Sequence, residues 1–182
     1  MSETIIPPRA ENPTELRSGR SDQPPADYIA ETKQLYSSLG YDSYRWAERS
    51  DAIPLAPLAK PLADSTVMLI GSGGIYRRGQ VAFHSKDDTS VRAIPSSVNT
   101  SELRTAHFAY DQTDARTDIN CVFPLDRLAE LAGNDIIGGV AAAAISFMGG
   151  IYSTRRLETE TVPAILQHVE EQAPDVVLLV PV

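Results

Sequence analysis

The chain has 182 residues and a formal net charge of −8, with 42% hydrophobic residues. That is enough apolar material for one ordinary domain with its own core. The acidity speaks against a nucleic-acid or anionic-membrane partner, and the single cysteine, Cys121, excludes an intrachain disulfide or a cysteine-based metal site.

Residues 1–24 are rich in Pro, Ser, Arg and Glu and predict a disordered arm. They contain neither a basic start nor an apolar core, so no secretory leader is expected. With no run of about 18 apolar residues anywhere, a cytoplasmic chain without a membrane span is expected. Residues 25–64 read as a helical and then extended N-terminal segment. Tyr28, Ile29, Leu35, Tyr36 and Leu39 recur at helical spacing and Gly40 is a suitable stop. Residues 41–50 suit a short helix, and Pro54, Pro57 and Pro61 an extended connector.

Residues 65–182 predict an α/β domain. Residues 66–70 are a strand followed at once by Gly71-Ser72-Gly73-Gly74. Residues 75–88 read as a loop, and 90–94 as a strand closed by Pro95. Residues 102–110 are ambiguous and 111–120 read as a polar loop. Residues 124–131 are a short amphipathic helix with Pro124 at its start, ended by Gly133-Asn134. Residues 137–147 suit either helix or strand. Residues 154–172 read as a long helix capped by Thr154 and kinked or divided at Pro163. The run 176–182, apolar and β-branched, reads as a buried parallel strand. The fold class is therefore α/β, a largely parallel sheet with flanking helices in a Rossmann-like layer.

Several groups could carry chemistry. Gly71-Ser72-Gly73-Gly74 after a strand invites a phosphate-loop reading, but position 76 is Tyr76 rather than Gly, and no Gly-Lys-Ser/Thr follows. A tight turn, or a loop lining a small-molecule cleft, are the alternatives. His107, Tyr110 and Asp111 fall within five residues and can supply acid, base and orienting groups. In an extended segment His107 and Asp111 share one face; a satisfied His with an Asp opening a turn is the plainer reading. Asp118 and Asn120 open the way into the 124–131 helix. Cys121 has no recognisable partner and reads as a buried, inert thiol. His84 and His168 are isolated. Arg77-Arg78 and Arg155-Arg156 suit the surface, though either pair can meet a carboxylate. Ser146 ends the apolar run at a strand end or turn. No metal site is expected.

Taken in order, Gly73-Gly74, Asp88 to Pro95, Leu103 to His107, Tyr110-Asp111, Asp118 to Leu128 and Ser146 to Gly149 resemble the selenoprotein B family of glycine/sarcosine/betaine reductases and D-proline reductases. The resemblance covers residues 67–182. It implies a subunit of a dithiol-linked reductase, acting by reductive C–N cleavage of an amino-acid-like carboxylate. A selenocysteine or cysteine following the strand at 176–182 would be the nucleophile, and a pyruvoyl group on a partner subunit would activate the amine. No cofactor bound by this chain itself is implied. His107, Tyr110, Asp111, Asp118 and Asn120 match the family pattern by position; with Gly73, Gly74 and Ser146 from the resembling runs, they are the candidates for lining or bracing the cleft.

A selenocysteine codon is also a stop signal, and a frame that treats it so would end on Val182. The expectation is an N-terminal part of a larger two-lobed selenoprotein, inactive alone, with an exposed sheet edge that favours poor solubility or dimerisation. A subunit that keeps the cleft for binding or assembly without the nucleophile is the alternative. A third possibility is an unrelated enzyme using His107 and Asp111 for acid–base work.

Overall fold

A computed structural model describes residues 27–43, 52 and 56–182. The chain divides into two compact units, residues 1–54 and 55–182. The first contains α1 (Tyr28–Ser38), whose N-terminus is capped by Asp27 accepting from the Ala30 N–H, and which Gly40 closes at φ +77°. The arm expected over 1–24 and most of the short helix expected over 41–50 lie outside the described residues.

The second unit is built around one central strand, β1 (Thr66–Gly71). Along one edge of β1 runs β7 (Val176–Val180), parallel and in register from Val67↔Val176 to Gly71↔Val180. The other edge is shared in sequence by β5 (Gly139–Val140), beside Thr66 and Val67, and β6 (Ala143–Phe147), beside Ile70 and Gly71, both parallel to β1. Beyond β6 lies β3 (Val91–Pro95), antiparallel. Pro95 is tolerated there because β3 is an edge strand and needs no donor on its outer side. A separate two-stranded sheet pairs β2 (Ile75–Arg77) with β4 (Leu103–Thr105).

Alternation along β1 sends its side chains to two cores. Val67 and Leu69 pack with Ile94, Ala144 and the wholly buried Phe123 beneath α3 (Leu125–Gly133). Met68 and Ile70 pack with Ile145, Ile165 and Val169 beneath α5 (Val162–Gln172). The β6–α5–β7 connection is the crossover that parallel strands of one sheet require.

The structure departs from the sequence reading at defined places. Residues 75–88 are not all loop, because Ile75–Arg77 pairs with Leu103–Thr105. The stretch 111–120 holds a short helix, α2 (Thr113–Thr117), and a 3₁₀ turn (Ile119–Cys121). The ambiguous run 137–147 is strand, interrupted between β5 and β6. The expected helix 154–172 is α4 (Thr154–Arg156), a π-helical turn (Leu157–Thr161) and α5; Ser153, not Thr154, supplies the cap by accepting from the Arg156 N–H. The division falls just before Pro163, as expected: the π-helical turn ends at Thr161 and Pro163 lies in the first turn of α5. Among the described residues β7 pairs on one edge only, and it is not the buried strand expected, with Leu179 67% exposed.

This difference in burial predicts unequal costs of truncation. Phe123→Ala should cost about 3–5 kcal/mol, whereas Leu179→Ala should cost within about 0.5 kcal/mol. Urea unfolding of the two variants against the parent chain measures both.

Candidate functional site

Three parallel strands end together at Gly71, Phe147 and Val180, the side of an open α/β sheet where ligands bind. The loop after β1 knits these ends. Ser72 N–H donates to Val180 O at 3.1 Å, and Gly74 N–H to Phe147 O at 3.0 Å. Ser72 O accepts from Gly149 N–H at 2.8 Å, and Ser72 Oγ accepts from Val182 N–H at 2.9 Å. Amides spent in this way cannot cradle a phosphate, and the chain leaves Gly74 into a strand, not a helix. The Gly71-Ser72-Gly73-Gly74 segment is therefore a turn at a cleft edge.

Gly74 is the position that demands glycine. It sits at φ +65°, and a Cβ there would lie 2.2 Å from Ala106 O. That contact, with Ala106 N–H donating to Gly74 O at 2.9 Å, presses the 105–110 segment against the strand ends. Gly73 meets the same segment through its carbonyl. Thr105 Oγ1 and Tyr110 Oη each lie 3.1 Å from Gly73 O and 2.8 Å from one another, so one hydroxyl donates to the carbonyl and the other to its neighbour. Burial raises the Tyr110 pKa, keeping the phenol protonated. Ser146 is wholly buried and its Oγ accepts the Ile75 N–H at 2.8 Å, holding the exit from the loop.

His107 is 9% exposed. Its Nδ1 accepts the Ala109 N–H at 3.0 Å, which fixes the proton of the neutral ring on Nε2. Nε2 is buried without a partner among the described residues. Burial lowers the His107 pKa, so the ring is neutral at pH 7. Its ring centroid lies 4.7 Å from Tyr110 and 5.8 Å from Phe108, and Phe108 stacks in turn on Tyr152 at 6.3 Å.

Asp111 does not share a face with His107, because residues 106–112 bend rather than extend. Its Oδ1 instead accepts the Thr113 N–H at 2.9 Å and the Thr113 hydroxyl at 2.7 Å, which hold its pKa below the usual range. It opens α2. Asp118 and Asn120 belong to a second cluster. Asp118 Oδ1 accepts from Asn120 N and Nδ2, and Asn120 Nδ2 also donates to Asp126 Oδ2 at 2.8 Å. Asn120 Oδ1 accepts the Asp126 N–H at 3.0 Å, and Thr100 Oγ1 donates to Asp126 Oδ2 at 2.8 Å. This network ties the 3₁₀ turn to the first turn of α3 and borders a groove of about 640 Å³ with Arg104 and Arg116.

Sequence reasoning placed Cys121 inside; the thiol is exposed. Partial desolvation, then the charges of Asp114 and Asp118, raise its pKa, so it is a thiol rather than a thiolate at neutral pH. Arg156 is not free for a substrate: it bonds Glu160, Thr89 Oγ1 and the Asp87 carbonyl. Ser72, Thr105 and Arg116 were missed. Only Ser72, between glycines after a strand, left a signal in the sequence. Two smaller cavities open at the strand ends. One, about 500 Å³, is lined by Ser72, Phe147, Gly149, Leu179 and residues 180–182. The other, about 290 Å³, lies beside His107, Arg116 and Met148. Among the described residues no cluster of His, Cys, Asp or Glu is arranged to hold a metal ion, and no helix is long and apolar enough to cross a membrane.

Comparison with known proteins adds to this geometry. A family model described as glycine/sarcosine/betaine reductase selenoprotein B matches residues 41–181. The protein described as D-proline reductase subunit gamma from Acetoanaerobium sticklandii is 35% identical over 123 residues, covering 68% of this chain and 51% of that one. The chain thus spans about half the length of that relative. No solved structure matches.

The buried neutral imidazole predicts a pH dependence of stability. A folded-state pKa below the ordinary value of 6.5 means that the unfolded chain binds the proton more readily. The contribution is complete above pH 6.5 and declines as pH falls through the folded-state pKa. Urea unfolding across pH 5 to 8 should show this decline in the parent and a smaller one in His107→Gln. Equal slopes would contradict it. Asn120→Ala, which removes three side-chain bonds at once, should cost about 1–3 kcal/mol in the same assay.

Proposed function

Because the chain belongs to the glycine/sarcosine/betaine reductase selenoprotein B family, we propose that it is a subunit of a dithiol-linked reductase that cleaves the C–N bond of an amino-acid-like substrate. The observation that carries this reading is the position of the family-matching residues. Gly73, Gly74, His107, Tyr110 and Ser146, scattered through the sequence, gather where β1, β6 and β7 end.

In this reading the chain provides one wall of the cleft. The family's selenocysteine or cysteine, following the strand that β7 represents, would supply a nucleophile for the α-carbon, with a pyruvoyl group on a partner subunit activating the amine. Over the whole reaction the α-carbon gains hydrogen, the amine departs, and two thiols become a disulfide. The residues present have passive tasks. Ser72 Oγ fixes the backbone at Val182. Gly73, with a Cβ position 3.4 Å from the Val182 side chain, lets that segment lie against the β1 loop. Tyr110 and Thr105 hold the Gly73 carbonyl. Asp111, Asp118 and Asn120 brace the walls through α2 and α3. A polypeptide continuing past Val182 would extend from this cluster into the cleft.

The native reductase complex, purified from cells and supplied with a dithiol, provides the test. The reading predicts that this chain co-purifies with activity on glycine, sarcosine, betaine or D-proline. It also predicts that mass spectrometry of the natural polypeptide finds a selenocysteine or cysteine soon after Val182. Absence of dithiol-dependent C–N cleavage on all four substrates would overturn it. A folded, active complex whose subunit has neither residue there would overturn the placement of the nucleophile.

A further inference from the structure

We propose that the cavity at the end of β6 receives the substrate's carboxylate, with the Arg116 guanidinium as its anchor and His107 Nε2–H as a second donor. This inference rests on the functional reading above and adds a residue that the sequence did not point to.

The cavity measures about 290 Å³ and is lined by Phe83, Ser85, His107, Gln112, Arg116 and Met148, among others. At about 30 Å³ per water, it has room on the order of ten waters, enough for a small amino acid. Met148 directly follows β6 and bridges Gly73, so the cavity opens at the carboxyl end of the sheet.

Arg116 is a permanent cation with donors to spare. Among the described residues no carboxylate forms an ion pair with it, and its guanidinium has one side-chain partner, Gln112 Oε1 at 3.4 Å. Arg92, Arg127 and Arg156, by contrast, each face an acid within 4.0 Å. The carboxylates around Arg116 are occupied. Asp111 is bonded by Thr113, while Asp118 and Asp126, across the neighbouring groove, are bonded by Asn120. Free surface arginines are ordinary; Arg116 differs in bordering a concave site that also holds an unpaired donor.

That donor is His107 Nε2–H. A buried N–H without an acceptor costs free energy, and a ligand oxygen is the acceptor it lacks. Gln112 connects the two groups: its Nε2 donates to the His107 carbonyl while its Oε1 faces Arg116. Arg116 and His107 thereby line the same cavity, the cation on its exposed side and the neutral donor buried in its wall. A carboxylate, with two oxygens and a negative charge, matches that pair.

The kinetic test uses the native complex with Arg116→Gly, Arg116→Lys and the parent. Loss of a charge-assisted contact should raise KM roughly 10- to 100-fold, with kcat and Tm little changed. Added guanidinium ion should lower the KM of Arg116→Gly, an effect that a merely structural role would not produce. An unchanged KM in a folded, active Arg116→Gly complex overturns the anchor and leaves the reductase reading intact. The binding test uses the 182-residue chain and acetate as probe, read by the His107 ring signals in NMR. Saturable shifts in the parent that vanish in Arg116→Gly support the site even if the complex reduces none of the four amino acids. Absence of shifts in the parent, or shifts that survive the substitution, overturns it.

Discussion

The carbonyl of Ala106 occupies the space that a side chain on residue 74 would need. Only glycine at φ +65° lets the two backbones meet, and the bond that Ala106 N–H donates to Gly74 O depends on that approach. Because Gly74 also donates to Phe147, this one contact joins the loop after β1, the end of β6 and the segment carrying His107 and Tyr110. The small β2–β4 sheet continues directly from it. With a larger residue at position 74, the 105–110 segment would stand away from the strand ends, and the gathering of family-matching residues there would be lost.

The cluster divides its labour between bracing and presentation. Ser146, Asp111, Asp118 and Asn120 spend their polar atoms on backbone or neighbouring side chains, so their chemistry goes into shape. His107 and Arg116 keep donors unspent. The reductive cleavage proposed above needs substrate held at a defined angle to an attacking atom, and rigid walls with few free donors suit that task. The apolar sheet edge at β7 makes the same point from another side. Val177 and Leu179, on the face shared with α5, are exposed.

How far the sequence could be read depended on how local each interaction is. β1, β3 and α3 were legible because their apolar pattern and their closing residues, such as Pro95 and Gly133, lie within the segment itself. β2 was not: Ile75–Arg77 is strand only because Leu103–Thr105 pairs with it. α2 hid in a polar stretch because its start depends on the Asp111 side chain. The Ala-rich run before Ser146 has helical propensity, and burial between β1 and β3 overrides it. At the site, the spaced Asp118 and Asn120 were visible as a pattern, but their partners Asp126 and Thr100 show them to be a brace. Arg116 left no signal, since only the fold brings it to the cavity that His107 also lines.

The central claim is that the ends of β1, β6 and β7, together with residues 105–116, form one wall of the substrate cleft. A structure of the native complex with its amino-acid substrate bound tests this most directly. The account predicts the ligand at the carboxyl ends of these strands, its carboxylate within hydrogen-bond distance of Arg116. A ligand held wholly by other subunits, or at the opposite ends of the strands, would contradict it.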